Sequence, residues 1–277
     1  TDQLIIPINL GIIGYGIVGK AVHHAFKDNN ILYYDKFIKS TPLKEVVEKS
    51  DFIFICLPTP FKNDKIDLSI IDENLKEITK FTDNTDKIII IKSTVVPGTT
   101  IKYSKLYPKT KFSFSPEFLR EAYYLEDAVN PDRIIIGAED LNVRKRIVDL
   151  FKKRFPNVLM FETDSTTAET VKYMANCFLA TKVIFANEIF DLCQKLKIDY
   201  NKVKEMVMVD KRMGSSHFDV TKELGFGGKC FPKDIVALIG LYKDLNLDPT
   251  LLGTVWKKNL KIRKVKDWED IPFVKSV

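Results

Sequence analysis

No apolar run in this sequence approaches the ~20 residues that a bilayer-spanning helix needs. The longest candidate, Ile88 to Ile91, is a short run flanked by Lys87 and Lys92. The four cysteines, Cys56, Cys177, Cys193 and Cys230, form no CxxC pair. That excludes a small disulfide scaffold, and reduced thiols in a cytoplasmic compartment are expected. Nothing at the N-terminus reads as a secretion signal. Blocks of like charge are missing too, although 43 basic residues against 37 acidic ones leave +6. That excess reads as a solvated, mildly basic surface or as attraction for a small anion. With no basic–aromatic repeat and no zinc spacing, neither nucleic acid nor a metal is expected. Internal repeats and low-complexity segments are absent. The 277 residues, 45% hydrophobic and 29% charged, imply an ordinary globular chain of about two domains rather than a disordered or collagen-like one.

Over residues 1–164 the apolar patterning alternates between strand and helix. Strands are predicted at Ile8–Ile13, Ile31–Tyr34, Asp51–Leu57, Lys87–Lys92, Phe112–Phe114, Ile134–Ile136 and Val158–Phe161. Helices are predicted at Ile17–Asp28, Pro42–Lys49, Leu68–Phe81 with Asp67 as its cap, and Leu141–Phe155. Continuous apolar strands between helices imply an α/β, doubly wound domain with a parallel sheet covered on both faces. At Asp164 the pattern changes. Ser165–Leu196 keeps a helical period without Pro or Gly, and helices follow at Asn201–Val209, Pro232–Asp244 and Pro249–Lys266. Residues 165–277 therefore read as an α-helical domain with a long central helix. A helix of that length exceeds what a compact domain requires. It suits a spine or a dimer interface, so a dimerisation domain and a homodimer are expected.

Gly14-Tyr15-Gly16-Ile17-Val18-Gly19 follows the first strand and opens the first helix, which is the context GxGxxG requires. Gly14 permits the tight turn, Gly16 lets the backbone approach a pyrophosphate, and Gly19 allows close helix–strand packing. The helix N-terminus favours phosphate, so the first domain reads as a Rossmann dinucleotide site. Asp35 ends the second strand, where a carboxylate accepts from a ribose 2′-OH and repels a 2′-phosphate. NAD is therefore expected rather than NADP. The competing reading is a glycine turn with an unrelated surface Asp.

The most unusual stretch is Gly225-Phe226-Gly227-Gly228-Lys229-Cys230-Phe231-Pro232-Lys233-Asp234. Its glycines predict a mobile loop. Cys230 precedes a helix begun by Pro232, and Lys229 and Lys233 flank it, a field that favours thiolate and hence a nucleophile. The alternative is a small buried apolar residue, which remains the reading for Cys56, Cys177 and Cys193. Lys172 and Asn176 share a helix face at i and i+4, as an oxyanion donor and a positioning amide or as solvated surface. Thr94 and Glu117 fall in loops at expected strand ends. They could bind and deprotonate a water or serve as ordinary caps.

Taken in order, GYGIVG, LPTP (57–60), KSTVVPGT (92–99), SPEFLRE (115–121), PDRIIIG (131–137), AETVKYMAN (168–176), DKRMG (210–214) and GFGGKCFPKD (225–234) resemble the nucleotide-sugar dehydrogenases, the UDP-glucose/GDP-mannose dehydrogenase family. The resemblance implies two-step NAD-dependent oxidation of a sugar C6 alcohol to a carboxylate, UDP-glucose to UDP-glucuronate first. UDP-N-acetylmannosamine, GDP-mannose or an idle NAD-binding remnant are the alternatives. It implies Cys230 as the nucleophile, Lys172 and Asn176 as oxyanion donors, Asp234 as partner of a water or of Lys172, and Glu117 with Thr94 for proton transfer and hydrolysis. It implies cofactor contacts from the GxGxxG residues, Asp35, Lys36, Pro58, Thr59, Ser93, Thr94 and Glu121, with Arg133 nearby. Substrate contacts would come from Glu117, Phe118, Leu119, Lys172, Asn176, Phe226, Gly227 and Gly228, and from Arg212 reaching a neighbouring subunit. Two departures stand out: Lys229 replaces the usual Ser, and the segment after Arg212 is slightly longer than usual. The family plan also continues, after a helix like Leu251–Arg263, into a third domain over the UDP. The chain is thus expected to carry two domains of a three-domain plan.

Overall fold

The computed structural model describes residues 7–63 and 65–270. The chain clusters into two compact units. One holds the chain up to Thr59 together with Asp67–Lys172; the other holds Pro60–Ile66 and the chain from Tyr173 onward.

The first unit runs β1 (Asn9–Ile13), α1 (Ile17–Ala25), β2 (Asn30–Tyr34), α2 (Leu43–Lys49) and β3 (Phe52–Ile55). A short excursion, β4 (Phe61–Lys62) and β5 (Lys65–Ile66), belongs to the second unit. The first unit resumes with α3 (Ser69–Thr82), β6 (Ile88–Ile91), α4 (Thr99–Leu106), β7 (Lys111–Phe114), α5 (Tyr124–Val129), β8 (Arg133–Gly137), α6 (Leu141–Arg154) and β9 (Leu159–Thr163). Among the described residues the main sheet has the order β2-β1-β3-β6-β7-β8-β9. Its central strands β3 and β6 are apolar throughout because the side-chain alternation of a strand divides each run between two cores. Leu10, Ile12, Phe52, Phe54, Ile88 and Ile90 pack with Val22 of α1 and Ile147 and Phe151 of α6. Ile13, Ile53, Ile55, Ile89 and Ile91 pack with Val47 of α2 and Ile71, Leu75 and Ile78 of α3. Because β1 lies between β2 and β3, the chain reverses direction across it. A switch point of this kind leaves a crevice at the carboxyl ends of β1 and β3.

The expected all-parallel sheet is corrected at β8. In the main sheet β2, β1, β3, β6 and β7 are parallel, but β8 meets β7 antiparallel at Phe114–Gly137, and β9 then runs parallel to β8. The connection from β7 holds a 3-10 turn (Glu121–Tyr123) and the six-residue α5. An antiparallel neighbour needs no full crossover helix. Helices α4 and α5 were not foreseen. The cap of α3 is Leu68, while Asp67 Oδ1 accepts from the Ser69 N–H at 2.9 Å.

The second unit is helical: α7 (Ser165–Leu196), whose first turns belong to the first unit, then α8 (Tyr200–Met208), α9 (Phe231–Asp244) and α10 (Thr250–Ile262). Helix α10 ends earlier than predicted, because Arg263 leaves the helix in extended geometry (φ −65°, ψ 122°). The β4–β5 hairpin, two residues per strand, was too short to read from the sequence. No described helix is long and apolar enough to cross a membrane.

Candidate active site

The glycine turn after β1 has the geometry its spacing implies. Gly14 takes φ +92°, and a Cβ there would lie 2.5 Å from the Cys56 carbonyl oxygen. A Cβ on Gly19 would lie 2.1 Å from the Gly14 carbonyl, so α1 packs directly on the turn. Around Gly16 nothing lies within 4 Å of a Cβ position. Space is therefore left where a pyrophosphate must approach, and the first turn of α1 has no acidic side chain to repel it. Asp35 Oδ2 accepts from Tyr15 N–H and Oδ1 from Phe37 N–H, each at 2.8 Å. A carboxylate has about four lone-pair sites, so a ribose hydroxyl can still be accepted. The residues present therefore fit a dinucleotide. Tyr15 stacks on Tyr33 with ring centroids 3.9 Å apart. Of the other expected cofactor contacts, Thr59 and Ser93 tie strand ends together: Thr59 Oγ1 donates to the Thr94 carbonyl at 2.8 Å, and Ser93 Oγ to the Leu57 carbonyl at 2.7 Å. Lys36, Pro58 and Glu121 are exposed.

Beyond β6 and β7 the first turns of α7 grip two loops. The Lys172 ammonium donates to the Glu117 backbone carbonyl and lies 3.3 Å from its carboxylate. Burial draws the Glu117 carboxyl upward, but the charge of Lys172, the Leu119 N–H and the charge of Lys92 outweigh it and hold the group below the ordinary carboxylate value. Phe118 lies under two cations, with the Arg133 guanidinium 3.8 Å and the Lys172 ammonium 5.2 Å from its ring centroid. Glu169 is fully buried and accepts from Gly98 N–H, Thr100 N–H and Thr100 Oγ1, so it caps α4 and fixes the end of the segment that carries Thr94. Burial pushes its carboxyl up to about 7 against those hydrogen bonds.

In the second unit, Cys230 is the N-cap residue of α9 and is exposed, whereas Cys56, Cys177 and Cys193 are buried. Burial pushes the Cys56 thiol up to about 12 and raises Cys177 as well. Asp234, in the first turn of α9, is buried and accepts from Asn176 Nδ2 at 2.6 Å; Lys233 lies 3.9 Å from its other oxygen. The predicted mobility of the glycine loop is corrected. Gly225 N–H donates to Asn187 Oδ1 at 3.0 Å, and Phe226 is held at both N–H and carbonyl by Asn259, at 2.8 and 3.0 Å. Gly228 N–H donates to Asp267 at 3.0 Å. Glycine suits Gly225, whose φ of +54° disfavours a side chain and where a Cβ would lie 2.2 Å from Asn259; at Gly227 a Cβ would meet only the ends of the Arg263 and Asp267 side chains. Asn187 and Asn259 were missed in the sequence; the usable signal was an amide inside an apolar helical period. Arg212 is exposed, and its guanidinium donates to both carboxylate oxygens of Asp210 two residues earlier.

Residues 27–155 match the NAD-binding domain of the UDP-glucose/GDP-mannose dehydrogenase family, and residues 166–261 match its central domain. The chain belongs to this family. It is 36% identical over 225 residues to a UDP-glucose 6-dehydrogenase of Rickettsia bellii, covering 78% of this chain and 50% of the relative. A UDP-glucose 6-dehydrogenase of Bacillus subtilis is 34% identical over 227 residues, 79% of this chain and 50% of the relative. Among solved structures, a UDP-glucose dehydrogenase from Pyrobaculum islandicum superimposes with a TM-score of 0.83 at 29% identity, covering 94% of this chain and 70% of that one. The chain spans about half the length of the curated relatives it matches. The family's cofactor is NAD, and the turn at Gly14–Gly19 leaves open space beside Gly16.

Proposed function

We propose that the chain takes part in NAD-dependent oxidation of the C6 alcohol of a nucleotide sugar, UDP-glucose to UDP-glucuronate, through a thiohemiacetal and then a thioester on Cys230. We read residues 1–164 as the cofactor domain and 165–277 as the helical domain bearing the thiol, acting in the cytoplasm where NAD and UDP-sugars are found. The observation that carries this reading is an exposed thiol at the N-cap of α9, on a loop held by side-chain amides, with the buried Asn176–Asp234 pair beside that helix start. A simple alcohol dehydrogenase has no use for such a thiol.

NAD, when bound, takes up the hydride in each of the two oxidations. Glu117, ionised by its cationic neighbours, takes the hydroxyl proton with Thr94 orienting the transfer. Cys230 sulfur adds to the aldehyde carbon and prevents its escape. Lys172 and Asn176, one helical turn apart on α7, donate to the C6 oxygen as negative charge develops there. Asp234 holds the Asn176 amide in that orientation. Once the second oxidation has produced the thioester, Glu117 and Thr94 direct a water to its carbonyl carbon, the carbon–sulfur bond breaks, and the thiolate is restored beside a carboxylate product.

The helical domain is also inferred to pair with a second copy of the chain. Met174, Phe178, Phe185, Leu192 and Leu196 are exposed along α7 at spacings of four and seven, an apolar stripe suited to a facing helix. Light scattering should give a dimer, and Phe185→Asp a monomer; a wild-type monomer would sink this inference.

The deciding experiment measures NADH formed from UDP-glucose by the purified protein. About two NADH per sugar, abolished in Cys230→Ala, is the expected result. NAD binding with no turnover of any nucleotide sugar would overturn the enzymatic reading.

A further inference from the structure

We propose that the first unit carries a second small-molecule site, a cavity beneath α1 that takes an anionic ligand with an aromatic or aliphatic body. The cavity measures about 440 Å³, within the range of ligand pockets, and every residue lining it belongs to the first unit. Its origin is local. Helix α1 turns the small side chains Ala21 and Ala25 inward, and the segment from Ser115 to Arg133 passes over the space they leave. Protein interiors are close-packed and tolerate few voids larger than a water. A space of this size, with apolar side chains on one side and polar and charged ones on the other, is therefore a place for an amphipathic ligand.

The lining sets the ligand's chemistry. Val22, Ala25, Phe54 and Phe151 make an apolar floor. Lys92 projects from the end of β6 into this environment, buried, with the Pro116 carbonyl 3.3 Å away and the Phe151 ring centroid 6.0 Å away. No described carboxylate pairs with it, although Glu117 is close enough to feel its charge. Arg133 lies on the Phe118 ring and likewise has no carboxylate partner among the described residues. Two nearby acids are already taken, Glu117 by Lys172 and Asp127 by Arg120, while Glu126 and Asp132 lie exposed at the rim. Burial lowers the Lys92 ammonium to about 8, so it is still cationic at neutral pH. A buried cation that donates to one carbonyl, lies near an aromatic ring and has no carboxylate partner among the described residues is complementary to a carboxylate or sulfonate on an apolar body. Glu117–Leu119, assigned above to substrate contact, and Val18 of the glycine turn also line the cavity, so it adjoins the proposed substrate and cofactor sites.

The test uses three probes that share one ring system: 1-naphthoate, neutral 1-naphthalenemethanol and cationic 1-naphthylmethylammonium. Calorimetry on the purified chain should show 1-naphthoate binding at one site, about tenfold or more tighter than the cation. Saturating NAD should leave that binding unchanged. Ala25→Phe, which fills the cavity, should abolish naphthoate binding while NAD affinity persists, which also shows that the variant is folded. Lys92→Met should erase the preference for the anion. Should that variant not fold, the comparison of anion with cation on the unaltered chain decides the charge requirement. Equal affinity for the cation, naphthoate binding that survives Ala25→Phe, or displacement of naphthoate by NAD would each overturn the proposal. The last outcome would make the cavity part of the cofactor site. None of these readouts depends on Cys230 or on sugar turnover.

Discussion

The two units secure their functional loops by different chemistry. In the first, charge does much of the holding: Lys172 grips the Glu117 loop, and the Glu169 carboxyl caps α4 behind Thr94. In the second, the thiol loop hangs on the neutral amides of Asn187 and Asn259, with Asp267 adding one bond. Charged clamps respond to pH and leave an uncompensated ion when broken. Amide clamps are indifferent to pH and leave only unsatisfied backbone groups.

Four measurements probe that contrast. The largest effect is expected from Lys172→Met, which strands the Glu117 carboxylate in a buried setting. Urea unfolding near neutral pH should show a loss of about 3–5 kcal/mol, mostly recovered when Glu117→Gln is added. A smaller penalty, about 3 kcal/mol, is expected from Asn259→Leu, which leaves the buried N–H and carbonyl of Phe226 without Asn259. That penalty should be the same at pH 5 and pH 8, and a pH-dependent loss would blur the distinction between the units. Glu169 gives a gentler signature. Its carboxyl rises from 4.5 to about 7 on folding, so between those values the native state holds a proton that the unfolded chain has released. Stability therefore falls as pH rises through that window, by about 1 kcal/mol per pH unit, and levels off above it. Glu169→Gln should flatten this slope; an unchanged slope would assign it to other groups. The smallest effect is expected from Arg212→Ala, because an exposed pair with Asp210 contributes little. Its unfolding midpoint should not move measurably.

The same contrast explains what the sequence disclosed. Apolar strand runs, the glycine turn and the 32-residue α7 are local patterns, and they were read with nearly the right bounds. Cys230 was placed just before a helix for the same reason. The antiparallel turn of β8 was hidden because strand direction depends on the path of the connection, not on the strand's residues. The pinning of the glycine loop was hidden because its anchors lie 38 and 33 residues away. Loop composition reports conformational freedom in the unfolded chain, and long-range amide bonds remove it in the folded one. Glu169 read only as one letter of a motif, since its depth of burial is a tertiary property. The cavity beneath α1 likewise arises where small side chains on one element meet a segment that arrives about a hundred residues later.

The anchoring of the thiol loop also sets an order of events during synthesis. Gly228 is joined to Asp267, 39 residues further along the chain. At ~5–20 residues per second the ribosome delivers that anchor a few seconds after the loop. In that interval Cys230 rides on a glycine-rich tether, and neither Asn259 nor Asp267 has yet been made. Cys230 therefore reaches its folded position only when α10 and the segment behind it arrive, so the anchoring of this loop is among the last events in folding of the helical unit.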